Sequence, residues 1–108
     1  MTKVILIGFL GADPEVRYTQ MGAAMTTFSM ATTDVWNDKE GQRQERTEWH
    51  KVIVWGNRAE ACRQYLKKGS QTYIEGKLQS REYVDKNGVT RRVWEVAADN
   101  VVFLGAHK

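Results

Sequence analysis

Cysteine, histidine and proline are all scarce in this chain: its 108 residues hold one cysteine, Cys62, two histidines, His50 and His107, and one proline, Pro14. A single thiol excludes an intrachain disulfide and zinc ligation by paired cysteines, and it suits a reducing compartment. The two histidines offer no metal-ligating cluster, and Cys62 falls on the packed side of a short helix with no evident base nearby. Neither metal binding nor nucleophilic catalysis is expected, and the chain reads as a non-enzyme. Long apolar runs are missing too. The stretch Val4-Ile5-Leu6-Ile7 is far shorter than the roughly 20 residues that span a bilayer, and no convincing cleavage site follows it. A cytoplasmic protein without a membrane partner is the expectation. The nine glycines are scattered and form neither a dinucleotide fingerprint nor a phosphate-cradling loop, so no cofactor is expected. Repeats, linkers and low-complexity tracts are lacking, and the length supports one compact domain.

What the chain does have is aromatics interleaved with cations. A formal charge of +3 and a pI near 9.1 favour a polyanionic partner, without the basic density of a tail that binds by charge alone. The informative stretch is Thr47 to Trp55, which reads as a β-strand. Side chains two apart on a strand share a face, so Trp49, Lys51, Ile53 and Trp55 lie on one side and Glu48, His50, Val52 and Val54 on the other. A core has little use for a lysine between two indoles, whereas a surface that stacks bases and neutralises phosphates needs that alternation. The six-residue spacing separates Trp49 from Trp55 by roughly 20 Å, enough for several nucleotides. Single-stranded nucleic acid is the ligand class this pattern fits.

Elsewhere, strand-forming runs alternate with turn signals. Val4 to Leu10 is a first strand, broken by Gly11-Ala12-Asp13-Pro14, and Met25 to Val35 is a second with Thr26, Phe28 and Met30 on one face. Asn37 to Gly41 is a polar loop leading to the third strand, Thr47 to Trp55. Asn57 reads as the N-cap of a short helix, Arg58 to Lys67, with Cys62 and Leu66 on one side and Gly69 beyond its end. Gln71 to Val84 is a long fourth strand, Asn87-Gly88 signals a type I′ hairpin, and Arg91 to Leu104 returns as a fifth. The expected class is all-β: a five-stranded OB-fold barrel with one short helix between strands three and four. Along the fourth strand Tyr73, Glu75, Lys77, Gln79, Arg81 and Tyr83 face outward, against Thr72, Ile74, Gly76 and Leu78 inward. The first strand is apolar on both faces, Val4 and Leu6 on one and Ile5, Ile7 and Phe9 on the other. A solitary barrel buries only one face, so a partner subunit is expected to cover the second.

The segments Lys3-Val4-Ile5-Leu6-Ile7-Gly8, Asp13-Pro14-Glu15-Val16-Arg17-Tyr18, Thr47-Glu48-Trp49-His50, Tyr65-Leu66-Lys67-Lys68-Gly69-Ser70 and Tyr73-Ile74-Glu75-Gly76 resemble, in that order, the bacterial single-stranded DNA-binding protein family. The resemblance runs nearly end to end. It implies one OB-fold DNA-binding domain over 1–105, with 106–108 a frayed end, in a cytoplasmic, nucleoid-associated bacterial protein. It also implies sequence-tolerant binding of single-stranded DNA, protecting it in replication, recombination and repair, by a homotetramer. A dimer would satisfy the same apolar pattern.

By motif, the family's stacking positions fall on Trp36, Trp49, Trp55 and Tyr83. Trp55 stands where phenylalanine is usual and Tyr83 where tryptophan is usual, and both keep a flat π surface. Lys3, Arg17, Lys39, Arg43, Lys51, Arg58, Lys68, Lys77 and Arg81 are the cations expected to meet phosphates, by family motif or by nearness to those rings. Glu82 replaces a cation common in the family. His50 and Tyr73 match the subunit boundary, and the first-strand residues Val4, Ile5, Leu6 and Ile7 join them as the expected interface. Trp94, sharing a face with Val96 and Ala98, is expected to pack. Relatives usually continue into a disordered linker and an acidic tip that recruits replication and repair enzymes. No such tail lies within the 108 residues, so those partners are expected only where a natural tail exists.

Two other function classes compete. In one, the aromatics serve protein contacts in an OB docking module with weak DNA binding. In the other, Asp13, Asp34 and Asp38 hold a metal for nuclease chemistry, although these acids sit in turns without a paired arginine.

Overall fold

In the computed structural model the described residues are 2–106, Ala106 by its backbone alone. The elements are β1 (Lys3–Leu10), β2 (Glu15–Tyr18), β3 (Ala24–Asn37), β4 (Arg43–Trp55), α1 (Asn57–Tyr65), β5 (Ser70–Val84) and β6 (Thr90–Ala106). Neighbouring strands run in the order β1-β5-β6-β4-β3, and a β1–β3 pairing closes them into a five-stranded barrel. The helix lies between the third and fourth barrel strands, as expected. β2 is an addition, paired antiparallel to β3 with Val16 opposite Thr26. Its single central apolar residue, following Pro14, leaves too little alternation to read as a strand in sequence.

Two short pairings complete the ring. At the seam Phe9 lies opposite Ala31 and Leu10 opposite Met30. Across the barrel β4 and β6 run parallel, with Val52 opposite Val96 and Ile53 opposite Ala97. Alternate residues point inward: Leu6, Leu10, Phe28, Met30, Val52, Val54, Ile74 and Val96 form the core with Cys62 and Leu66. The helix covers one end, where the Thr26 hydroxyl donates to the Ala59 carbonyl at 2.7 Å. Burial pushes the Cys62 thiol up to about 11, which leaves it protonated and inert at neutral pH.

The core placement corrects the interface expected from sequence. Leu6 is buried inside the barrel and Val4 packs against that core, because their parity on β1 points inward. Ile5 and Ile7 point outward and are more than half exposed. The helix start is corrected as well. Asn57 is the first helical residue and Gly56 the N-cap, at φ 74°, with no side-chain cap bond. The helix stops at Tyr65, since Leu66 turns extended and buries its side chain.

One turn design recurs at three hairpins, beginning at Thr19, Asp38 and Asp85. The first residue's N–H donates to the fifth residue's carbonyl, and a glycine in fourth place donates back to the first residue's carbonyl. The first residue's side-chain oxygen accepts from the fifth N–H. Gly22, Gly41 and Gly88 hold φ between 77° and 85°, and no other described residue type has a positive φ. The Asn87-Gly88 turn is therefore a type I turn followed by a left-handed glycine, and not type I′, which needs positive φ at both positions.

In the last two turns that side chain is a carboxylate held below the usual range. For Asp38 the main cause is the Gln42 N–H, and for Asp85 it is the Arg91 guanidinium followed by the Val89 N–H. A depressed carboxylate contributes stability that is fully present above its unfolded pKa of about 4 and is lost as pH falls through the folded value. Acidification below about pH 4 is accordingly expected to loosen both turns. The Gly41 and Gly88 amide resonances should shift there, and resonances unchanged to strong acid would contradict this.

Candidate nucleic-acid interface

Tertiary structure keeps the four sequence-selected rings on the surface: Trp49 is 61% exposed, Trp55 50%, Trp36 47% and Tyr83 46%. β3 and β4 pair from Met25 opposite Trp55 out to Asn37 opposite Arg43. Their outward residues form one wall of a cleft of about 630 Å³. Lys51, Ile53 and Trp55 come from β4, Met25, Thr27 and Ser29 from β3, and Arg17 from β2, with Gln79, Arg81 and Glu95 opposite. Ile53 is buried at this floor rather than displayed. Trp49 continues the same face, its ring lying over Gly11: a Cβ there would stand 2.4 Å from the ring. Gly11 thus holds open the place that the indole occupies.

Two ribbons carry the remaining rings. Trp36 lies at the outer end of β3, opposite Gln44, beside the Asp38 turn that bears Lys39 and leads into Arg43. Tyr83 lies near the tip of the β5–β6 ribbon, opposite Arg91, whose guanidinium binds Asp85 at 2.9 Å. Glu82 points to the other face and pairs with Arg92 at 2.7 Å, so its charge is spent away from Arg81 and Tyr83.

The expected cations divide. Arg17, Lys51 and Arg81 line the cleft, and Lys68 borders it, its N–H donating to Asp13 Oδ1 at 2.8 Å. Lys3 does not line it. Lys3 binds Glu75 at 2.9 Å, and Glu75 also accepts from the Tyr73 hydroxyl at 3.1 Å, on the outer face shared by β1 and β5. These hydrogen bonds hold Glu75 below and raise Lys3 and Tyr73 above their ordinary values. Lys77 lies opposite Lys3 in the ladder, and Arg58 lies in the first turn of α1; neither lines the cleft. His50 lies apart from the cleft, in a second depression with Ile5 and Ile7, its Nε2 2.9 Å from the Thr32 hydroxyl.

Trp94 corrects the packing expectation. It shares a face with buried Val96, but it is 58% exposed because it sits opposite Ser80 on the ribbon, past the last residues that the barrel covers. Asp13, Asp34 and Asp38 are dispersed, and among the described residues no group of three or more His, Cys, Asp or Glu is placed to hold a metal. Sequence reasoning missed Glu95, a buried acid at the cleft floor. Its alternation with Trp94 and Val96 was visible, but its proximity to Lys51 follows only from the parallel β4–β6 register.

The chain is 50% identical over 105 residues to single-stranded DNA-binding proteins from two Neisseria meningitidis strains, and 49% identical over 106 residues to single-stranded DNA-binding protein 1 of Xylella fastidiosa. These matches take in 97% of the chain, but it spans only 60% of the length of the Neisseria proteins and 78% of the Xylella one. In fold it superposes on the Plasmodium falciparum SSB complex with ssDNA at TM-score 0.89 and 28% identity, covering 96% of this chain and 95% of that one. A deletion mutant of the single-stranded DNA binding protein from Thermus aquaticus matches at TM-score 0.85 and 34% identity, over 96% of this chain and half of that one. With its barrel, its outward aromatic face and a family-model match over residues 1–104, the chain belongs to the single-strand binding protein family.

Proposed function

We propose that this protein binds single-stranded DNA without sequence preference, as a non-enzymatic coat that protects the strand during replication, recombination and repair. The observation that carries the reading is the outward face of β4, where two half-exposed indoles flank Lys51 above an open cleft. Bases stack on Trp49 and Trp55, with Trp36 and Tyr83 extending the path along the ribbons. Arg17, Lys51, Lys68 and Arg81 meet phosphates near the cleft, and Lys39 and Arg43 do so beside Trp36. Arg58 and Lys77 are assigned peripheral contacts, and Lys3 none. The names of the bacterial relatives and the DNA-bound Plasmodium structure support the same ligand.

The domain is assigned to 1–105. Ala106 still pairs with Ser70, and residues 107–108 lie outside the described part. A homotetramer, or a dimer, is assigned through the outward Ile5 and Ile7 with His50 and Tyr73, since exposed aliphatic residues on a strand call for a cover. The compartment is assigned as bacterial cytoplasm at the nucleoid, and among the described residues no helix is long and apolar enough to cross a membrane. Recruitment of replication and repair enzymes belongs to a C-terminal tail where the natural chain carries one.

Titration of intrinsic fluorescence with oligo-dT tests the reading, with oligo-U as the comparison. Strong quenching is expected, with log affinity falling against log salt by about 0.7 per neutralised phosphate. Absence of quenching at low salt would favour the protein-docking alternative.

A further inference from the structure

We infer that Glu95 is a positioning residue of the groove, a buried carboxylate that holds the Nε–H of Arg81 and thereby aims the terminal nitrogens of its guanidinium at a phosphate of the bound strand. The inference rests on the single-stranded DNA reading above. Glu95 is 1% exposed although it lies on the outward face of β6, opposite Gln79 and one residue before the Val52–Val96 pair that sets it beside Lys51. Donors converge on it. Arg81 Nε lies 3.1 Å from Oε1 and 3.3 Å from Oε2, Gln79 Nε2 lies 3.3 Å from Oε1, and Lys51 Nζ lies 4.0 Å from Oε2.

Only an ionised carboxylate can accept on every side, so this nest of donors suits an acid and not its amide. Arginine carries five N–H donors in a rigid fork. Glu95 takes the single Nε–H, shared between its two oxygens, while the two terminal nitrogens make no hydrogen bond among the described residues and the side chain stays 49% exposed over the cleft. A buried anion weakens the attraction of a groove for phosphate. In return it supplies a guanidinium already fixed in direction, so that less side-chain ordering is needed when the strand arrives.

Oligo-dT titration of Glu95→Gln, Arg81→Lys, Arg81→Ala and the double variant Glu95→Gln/Arg81→Ala tests this. The amide must turn an NH₂ toward one of the donors and release the fork, and a lysine keeps the charge but cannot bridge from Glu95 to a phosphate. Glu95→Gln and Arg81→Lys are each expected to weaken binding about tenfold, the worth of one charge-assisted hydrogen bond, and to lower the salt slope by about 0.7. In the Arg81→Ala background Glu95→Gln should add nothing.

Tighter binding by Glu95→Gln, or the same loss with and without Arg81, would overturn the role. So would Arg81→Lys binding as the parent does, a readout that survives even if Glu95→Gln fails to fold. A damaging Arg81→Ala beside a silent Glu95→Gln removes the positioning role alone. Unchanged binding in Trp49→Ala, Trp55→Ala and Arg81→Ala together removes the groove, and the positioning role with it.

Discussion

Alanine in place of Trp49 or Trp55 is expected to weaken oligo-dT binding by about 1–3 kcal/mol each, a loss of roughly 5- to 150-fold, and to remove most of the fluorescence quench. Both indoles lie about half exposed on one strand face, so truncation removes a stacking platform without opening a core cavity. The two losses need not add, because a strand released from one ring shifts on the other. Gly11→Ala reaches Trp49 indirectly. Its Cβ would meet the ring at 2.4 Å, and an exposed ring can swing away, so the variant should fold and bind with a smaller deficit than Trp49→Ala. Trp94→Ala is the control, since that indole lies on the ribbon face away from Arg81 and Tyr83. Unchanged affinity in both Trp49→Ala and Trp55→Ala would place the groove elsewhere.

The largest effect on stability is expected from Gly8→Ala. A Cβ on Gly8 would stand 2.0 Å from the Ala31 carbonyl oxygen, a backbone atom that cannot step aside as a side chain can. Ala31 pairs with Phe9 in the short seam that closes the barrel, so the collision falls where few ladder bonds resist separation. A loss of about 3 kcal/mol or more follows from overpacking at such a site, lowering the melting temperature by upward of ~12 °C in a domain of this size. Urea denaturation measures it, and an unchanged midpoint would show that the seam can widen freely. Gly76 is similarly confined, its Cβ position 2.2 Å from the Ala97 carbonyl oxygen.

The barrel was legible because alternation survives wherever one strand face is buried. Thr26, Phe28 and Met30 in β3, and Thr72 and Ile74 in β5, all point inward as their period-two spacing demands. The outward indoles were legible for the same reason, since Lys51 between them breaks the logic of a core. Legibility ended where pairing between distant strands decides the outcome. Glu95 looks like an ordinary surface acid until the parallel register brings β6 beside Lys51. Trp94 fits the inward parity of Val96, yet the ribbon has already left the barrel there and no opposing wall remains. The Lys3–Glu75 ion pair likewise follows only from the β1–β5 pairing, which brings Glu75 alongside. The departure from a type I′ turn at Asn87-Gly88 has a local cause in Asp85, whose carboxylate accepts from both Asn87 and Val89 and favours the wider loop.

The three like-built turns have a consequence for how the chain folds. Each aligns its two flanking strands through bonds made within five consecutive residues, so β2–β3, β3–β4 and β5–β6 can find their alignment early, from short-range contacts alone. The β1–β5 ladder, from Lys3 opposite Lys77 to Phe9 opposite Gln71, and the parallel β4–β6 pairing join residues far apart in the chain and must wait, since closing long loops carries the larger entropic cost. Docking of β1 on β5 is then the late event, and substitutions between those two strands should hasten unfolding more than they slow refolding.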